Sequence, residues 1–524
     1  MSGRVYLVGA GPGDPGLLTL RGQRCLAAAQ VVVHDDLVNR RLLDHVSPDA
    51  EIVDVGRPHG DPGRLTQAAI AELLVSHARQ GRVVVRLKTG DPFLFGRGGE
   101  EAQVLRAAGV AFEIVPGVTS AIAVPAYAGI PVTDRDHASI VTIVTGHLAC
   151  GGDDPGGPPG LPWEALAHQG GTLVFLMAVK HLSAIGEALV RHGLPASTPA
   201  AVIERGTTGR QRTLVGTMAS LPAAARAAGV QAPAVVVVGR AVSLREQIAW
   251  FESRPLFGRR ILVTRARAQA GHLAALLEEQ GAQVMVFPTI AIASAPDPEA
   301  FDRAVAAGGS YDWIIFTSPN GVRAFFERLG IIGGDVRELA RARIAAIGSQ
   351  TAAELARRLV RPALVPTEFR AEGLLDALGE TAVRGRRILL PRAGGARAIL
   401  PDTLRARGAV VDEVLAYVAV PPADADVEGI RRALVAGGID ALTFTSSSTV
   451  RNFAALVGHD TMTALAGPGG PLVACIGPVT AETAREMGLP VDVMPRTYTV
   501  PALVAAVVAE FCNAGSDPLS PGTG

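Results

Sequence analysis

Short apolar runs alternate with longer amphipathic stretches along the first 245 residues of this 524-residue chain. Val5–Val8, Val31–Val33, Val83–Val85 and Phe112–Val115 read as buried strands, while 65–79 and 100–108 place apolar side chains at helical spacing. Strands and helices in alternation predict a parallel α/β layer to about residue 133. After the turn-rich PVTDRDH the pattern restarts at Ile140–Val144, and Thr172–Met177, Ala201–Glu204 and Ala234–Val238 read as further strands. A second lobe is expected over 134–245, with a cleft between the two. Residues 151–162 are too rich in Gly and Pro to fold alone.

A new unit starts after a linker at 246–257, and it contains a copy of itself. GRRILV at Gly258 recurs as GRRILL at Gly385, IIFTSPNGVRAFF at Ile314 as LTFTSSSTVRNFA at Leu442, and IAAIGSQTAAELA at Ile344 as VACIGPVTAETAR at Val473, at offsets of 127, 128 and 129 residues. A repeat that long is a duplicated domain and not a solenoid unit, so two similar α/β lobes should face one another across a cleft. The segment 513–524 is Gly/Pro/Ser-rich and is expected to be a disordered tail.

Candidate chemistry concentrates where strands end. In RVVVRLKTGDPFLFGRGGEE (Arg82–Glu101) the Gly90-Asp91-Pro92 turn follows the strand directly, at the position where open α/β sheets bind ligands. Gly96, Gly98 and Gly99 allow a close approach of the main chain, and Glu100-Glu101 sets carboxylates in the first turn of a helix. GAGPGDP (Gly9–Pro15) after the first strand looks like a dinucleotide fingerprint, with His34-Asp35-Asp36 in the place of a ribose-binding acid. Its third glycine comes one residue early, and Pro12 and Pro15 remove amide donors that a pyrophosphate needs. A nucleoside with a charged tail fits better than NAD.

Forty-nine basic and 49 acidic residues cancel, which argues against nucleic acid as the main partner. Lys88 and Lys180 are the only lysines beside 47 arginines, which singles out position 88. The four cysteines have no paired spacing, so neither a metal site nor a disulfide framework is indicated and a reducing cytoplasm fits. No stretch has the length and apolarity of a membrane span, and 4–7 enters a strand with no signal-peptide core.

GAGPGDPGLLTL, HDDLV, RLKTGDPFLFGRGGEE, PGVTSA and GIPVTDRD, in that order, resemble the uroporphyrinogen-III C-methyltransferases of the tetrapyrrole methylase family over about 3–245. FTSPNGV, FTSSSTV and IGPVT resemble uroporphyrinogen-III synthase over about 258–512. The resemblance implies an α/β fold class: a two-lobed methylase domain, then a duplicated two-lobed synthase whose lobes are 259–292 with 419–512, and 293–418. It implies hydroxymethylbilane closed to uroporphyrinogen III, then methylated at C2 and C7 to precorrin-2. No dehydrogenase and ferrochelatase segment is seen, so sirohaem is not the expected end product. The nearest rival is another methylase of the corrin pathway joined to a two-lobed small-molecule binding module.

In the first half, the resemblance carries S-adenosylmethionine contacts onto Pro12, Thr89, Gly90, Asp91, Leu94, Thr119, Ser120, Met177 and Gly206. Met177 is alternatively a core side chain, and Thr89 stands where these enzymes commonly have glycine. The family base falls on Asp35, otherwise a capping or loop carboxylate. The family's lysine acid falls on Arg57, which cannot give up its proton at working pH. Arg57, Arg97 and Arg135 are fork-shaped partners for substrate carboxylates, or solvated surface arginines. In the second half, Tyr417 matches a tyrosine that assists loss of the substrate hydroxyl, with a packing role as the alternative; its counterpart in the first repeat is Thr289. Thr317, Ser318, Asn320, Ser446, Ser447, Gly477 and Thr480 are candidate carboxylate donors, or helix caps. The partners implied are small tetrapyrroles, with no metal and no NAD, and a homodimer formed through the methyltransferase half.

Overall fold

The computed structural model describes residues 3–47, 49–56, 65–146, 160–265, 267–394, 396, 398–420, 422 and 426–514. Strands β1 (Arg4–Gly9), β2 (Val31–His34), β3 (Glu51–Asp54), β4 (Val83–Lys88) and β5 (Ala111–Val115) form one sheet in the order β3-β2-β4-β1-β5. Every neighbouring pair is parallel. Val31, Val32 and Val33 are all fully buried, as expected when helices cover both faces of a parallel sheet. The register sets Gly9 beside Lys88, His34 beside Leu87 and Val8 beside Val115, so the strands end nearly level. The loops that follow β1, β2, β4 and β5 therefore open on one edge.

The second sheet contains β6 (Val141–Thr145), β7 (Thr172–Leu176), β8 (Pro199–Glu204), β9 (Arg212–Thr217) and β10 (Ala234–Val238), in the order β6-β7-β10-β8-β9. β10 runs antiparallel to both β7 and β8, so the chain leaves β7 and β8 on the same edge, at Met177 and at Arg205–Thr207. β3 and β9 are not announced by apolar runs. β9 is a half-exposed edge strand, which relaxes the demand for apolar side chains on both faces.

The second half has nine strands among the described residues: β11 (Arg260–Val263), β12 (Gln283–Val286), β13 (Ala291–Ser294), β14 (Trp313–Phe316), β15 (Arg343–Ala346), β16 (Arg387–Ala393), β17 (Val410–Val420), β18 (Ala441–Phe444) and β19 (Leu472–Cys475). They build two sheets, β12-β11-β18-β19 and β13-β17-β16-β14-β15. Aligning the two repeats equates β11 with β16, β12 with β17, β14 with β18 and β15 with β19. Each sheet thus takes its first pair from one repeat and its second pair from the other. The duplicated sequence unit is not a unit in space.

Residues of the expected linker are packed. Phe251 and Leu256 are buried, and the Phe251 ring packs tilted at 4.8 Å from Tyr127 and edge-on at 5.5 Å from Phe257. Glu252 accepts from Gln211 Nε2 at 2.8 Å and Thr213 Oγ1 at 2.6 Å. An Arg41–Glu278 ion pair, and Arg210 donating to Gln283 Oε1 at 2.5 Å, join the halves directly. The last helix, Val500–Ala514, runs two residues into the segment expected to be tail; 515–524, like most of the 151–162 loop, lies outside the described residues. No helix among the described residues is long and apolar enough to cross a membrane.

Candidate active sites

The first candidate site begins with main-chain contacts. Gly90 N donates to Gly11 O at 2.8 Å, tying the loop after β4 to the loop after β1. Asp91 spends both carboxylate oxygens locally, Oδ1 on Phe93 N at 2.8 Å and Oδ2 on Gly117 N at 2.9 Å, which brings in the loop after β5. A Cβ on Gly117 would lie 2.2 Å from Gly90 O, and one on Gly9 would lie 2.4 Å from Gly117 Cα, so the three loops meet at a contact only glycine permits. Thr119 caps the helix Ser120–Tyr127 through Ala121 N at 3.3 Å.

The second sheet closes on this edge. Asp14 N donates to Thr207 Oγ1 at 3.2 Å, Tyr127 Oη donates to Asp14 Oδ2 at 2.7 Å, and Leu94 packs into the core under β7, β8 and β10. A Cβ on Gly206 would fall 2.3 Å from a Val124 methyl, so this loop lies flat on the helix behind Thr119 and Ser120. Pro12, Thr89–Asp91, Leu94, Thr119, Ser120 and Gly206 are thereby linked through one set of touching loops. Met177 directly follows β7 on the same edge as Gly206 and is 50% exposed. That excludes a core role for Met177.

The residues present suit a nucleoside sulfonium. Thr89 Oγ1 is buried without a hydrogen-bond partner among the described residues, and a Cβ on Gly90 would meet nothing nearer than Ser120 N at 3.9 Å. The Thr89 hydroxyl and the open main chain at Gly90 offer hydrogen bonds to a polar tail, and the exposed Met177 thioether on the same edge offers apolar contact to a base.

Asp35 follows β2 and is one-third exposed, with Oδ1 held by Arg86 Nη2 at 2.5 Å. Arg86 is 2% exposed and also donates Nε to Glu101 Oε1 at 3.1 Å. Lys88 Nζ reaches the same oxygen at 3.0 Å and Gln67 Nε2 at 2.8 Å. Burial, and then the neighbouring Arg86 charge, push the Lys88 ammonium below its ordinary range, against the pull of Glu101 and Asp35. The first-turn carboxylates of helix Gly98–Ala107 thus divide: Glu101 turns inward to these cations, and Glu100 turns outward to Arg97.

Four expectations need correction or placement. Gly96 and Gly98 do not clear space for a ligand: a Cβ on either would lie 2.8 or 2.5 Å from Pro92 O, so they close the loop on itself. Arg97 does not present a free fork, because Nε and Nη2 hold Glu100 at 2.8 and 2.7 Å. Arg57 lies outside the described residues. Arg135 is exposed in the turn closed by the Asp134–Ala138 bridge.

Sequence reasoning missed two features here. The inward network was signalled by Arg86 and Lys88, two cations on one face of an otherwise apolar strand. The left-handed residues were not signalled at all. Among the described residues six non-glycine positions have left-handed φ, and Phe95, Arg97, Met177, Arg205 and Thr207 all belong to these loops. Such strain gathers where geometry is dictated by a site.

The second candidate site is split. After β14, Ser318 accepts from Gly321 N at 3.0 Å as a helix cap and shares a 2.9 Å hydrogen bond with Tyr417 Oη, on β17 of the same sheet. Tyr417 is 8% exposed. Thr317 is half-buried beside them, and Asn320 Oδ1 is taken by Arg323 at 2.6 Å. On the other sheet, Ser446 caps its helix through Thr449 N at 3.3 Å, Ser447 donates to Val479 O at 3.1 Å, and Thr480 is buried. A cavity of about 740 Å³ lies between, lined by Glu368–Arg370 from one lobe and by Gly477–Thr480 and Tyr498 from the other. Phe369 and Tyr498, 60% and 59% exposed, stand in equivalent positions of the two repeats, each against the glycine that starts a helix, Gly348 or Gly477. The repeat aligns PTEFR with PRTYT, and that alignment is the sequence signal for this pair.

The profile described as "Tetrapyrrole (Corrin/Porphyrin) Methylases" matches residues 4–222, and that of "Uroporphyrinogen-III synthase HemD" matches 271–505. The porphyrin biosynthesis protein HemD of Ruminiclostridium josui is 37% identical over 487 residues, 93% of this chain and 94% of that protein. The S-adenosyl-L-methionine-dependent uroporphyrinogen III methyltransferase of Methanosarcina barkeri (strain Fusaro / DSM 804) is 53% identical over 245 residues, 47% of this chain and 94% of that protein. The crystal structure of uroporphyrin-III-C-methyltransferase from Thermus thermophilus covers 47% of this chain and 97% of its own, at 40% identity and a TM-score of 0.39.

Proposed function

Since the chain belongs to the tetrapyrrole methylases in its first half and to the uroporphyrinogen-III synthases in its second, a fusion of the two, we propose that it performs two consecutive reactions. The second half closes hydroxymethylbilane to uroporphyrinogen III with inversion of the last pyrrole ring. The first half then methylates that macrocycle at C2 and C7 to precorrin-2. The observation that carries this reading is the meeting of the 9–15, 89–94 and 116–120 loops with Met177 and Gly206 on one edge, where the buried Thr89 hydroxyl has no hydrogen-bond partner among the described residues.

S-adenosylmethionine, when bound, supplies the methyl group. Main chain at Thr89–Asp91 and Ser120 orients it, and Met177 covers its apolar side. Asp35 accepts the proton each pyrrole carbon must lose, and Arg135 and Arg57 are the arginines offered to substrate carboxylates. Positioning contributes most of the acceleration, because a sulfonium is already a good leaving group. In the second half Tyr417, its hydroxyl fixed by Ser318, assists departure of the bilane hydroxyl. The cleft lined by Phe369 and Tyr498 then holds the flexible chain so that its ends meet. The buried free thiols Cys25 and Cys475 suit a reducing cytoplasm.

The test is to incubate the whole protein with hydroxymethylbilane and labelled S-adenosylmethionine and to count methyl groups on the product. Two methyls on a type III macrocycle are expected, with uroporphyrinogen III accumulating when the methyl donor is left out. Uroporphyrinogen I alone would defeat the synthase assignment, and an unmethylated or more heavily methylated product would defeat the other.

A further inference from the structure

The charged residues beneath the first candidate site are arranged as a chain from the protein interior to its edge. Glu101, fully buried, collects Gln67, Arg86 and Lys88 on its single oxygen Oε1 and so forms a fixed post. Arg86 leaves that post through Nε and reaches Asp35 Oδ1 through Nη2. With Asp35 ionised, two cations face two anions; without it, the buried group carries an unbalanced positive charge. Here one end is a one-third-exposed carboxylate at the edge where the loops converge, and its Oδ2 has no hydrogen bond among the described residues.

We propose that Arg86 is a positioning residue for methylation, holding Asp35 by one oxygen so that the other faces the reaction, with Glu101 anchoring the guanidinium from behind. This rests on the reading of Asp35 as the proton acceptor. Arginine suits the task because its fork spans both carboxylates in a fixed geometry and it stays charged while Asp35 gains and loses a proton. Lysine has no such fork, and Lys88 touches the post alone. Arg86 is not itself a catalytic residue, since nothing in this geometry brings it to the reacting atoms.

The experiment uses the full chain with Arg86→Gln, Arg86→Lys, Asp35→Ala and the double variant Asp35→Ala/Arg86→Gln. Methylation kcat in Arg86→Gln is expected to fall about 10- to 100-fold, with calorimetric affinity for S-adenosylmethionine and the rate of ring closure unchanged. Arg86→Lys, which keeps the buried charge, is expected to regain part of the loss, and the double variant to be no slower than Asp35→Ala alone. Losses that multiply in the double variant, or a cofactor affinity that falls in step with kcat in both Arg86 variants, overturn the positioning role. If Asp35→Ala itself methylates at the full rate, it is the base reading that fails.

Discussion

In the first half the candidate residues are fastened to one another, whereas in the second they face one another across open space. Main-chain bonds between Gly11 and Gly90, and the Asp91 carboxylate accepting from Gly117 N, join three loops, and Asp14, Thr207 and Tyr127 bind a second sheet to them. In the second half Ser318 and Tyr417 belong to one sheet and Ser446, Ser447 and Thr480 to the other, and most serve as caps or core. A reaction between a compact donor and a rigid macrocycle gains from a site built before either arrives. An open-chain substrate whose ends must be brought together gains from two walls that close on it. The exchange of strand pairs between the two sheets serves such walls, because the chain crosses from one lobe to the other after β12 and returns after β17.

The sharpest way to break that comparison is Asp35→Ala. If the first site is prebuilt, cutting away one carboxylate should lower methylation by about 100-fold or more while leaving ring closure and S-adenosylmethionine binding untouched. Steady-state kinetics of both reactions on one preparation, with calorimetry, checks all three. A parallel loss of cofactor affinity would mean that Asp35 is part of the scaffold and not of the chemistry.

Replacing the facing aromatics tests the other side. Phe369→Ala and Tyr498→Ala should each raise KM for hydroxymethylbilane about tenfold and leave methylation of added uroporphyrinogen III unchanged, as expected if their exposed faces hold pyrrole rings. An unchanged KM in both variants would show that the cleft grips its substrate elsewhere.

The contrast also governs what could be read from sequence. Apolar runs such as Val31–Val33 and Val235–Val238 are strands because burial leaves no polar option, and the loops after such strands gave most of the first site. Glycine was harder to interpret. Gly96 and Gly98 fold the loop onto Pro92 O, and nothing local separates that use from close approach to a ligand. The Arg86–Asp35–Glu101 chain joins residues 15 and 51 positions apart, so it exists only once β2, β4 and the helix at Gly98 are assembled. In the second half the repeat gave both lobes their strands, yet serine and asparagine at strand ends serve as caps and as ligands alike. Only the Tyr417–Ser318 contact separates one pair from the rest.

That contact yields a smaller effect. Tyr417→Phe and Ser318→Ala should each slow ring closure about three- to tenfold, the scale of one hydrogen bond in a half-buried site. Because both remove the same interaction, the double variant should be little slower than either single one. Independent, multiplying losses would assign Ser318 to helix capping alone.

The smallest effect is a pH slope confined to the first half, where Lys88 is held in the interior. Burial lowers its folded pKa beneath the 10.5 of an unperturbed lysine. Below the folded pKa both states carry the proton, and stability does not respond to Lys88. Between the folded pKa and 10.5 the unfolded chain binds one proton more, so stability rises with pH, by at most about 1.4 kcal/mol per pH unit. Lys88→Met should flatten that rise in thermal midpoints measured at increasing alkaline pH. A variant with the wild-type slope would mean that Glu101 keeps Lys88 charged throughout, and that the post beneath Asp35 is an ion pair at every working pH.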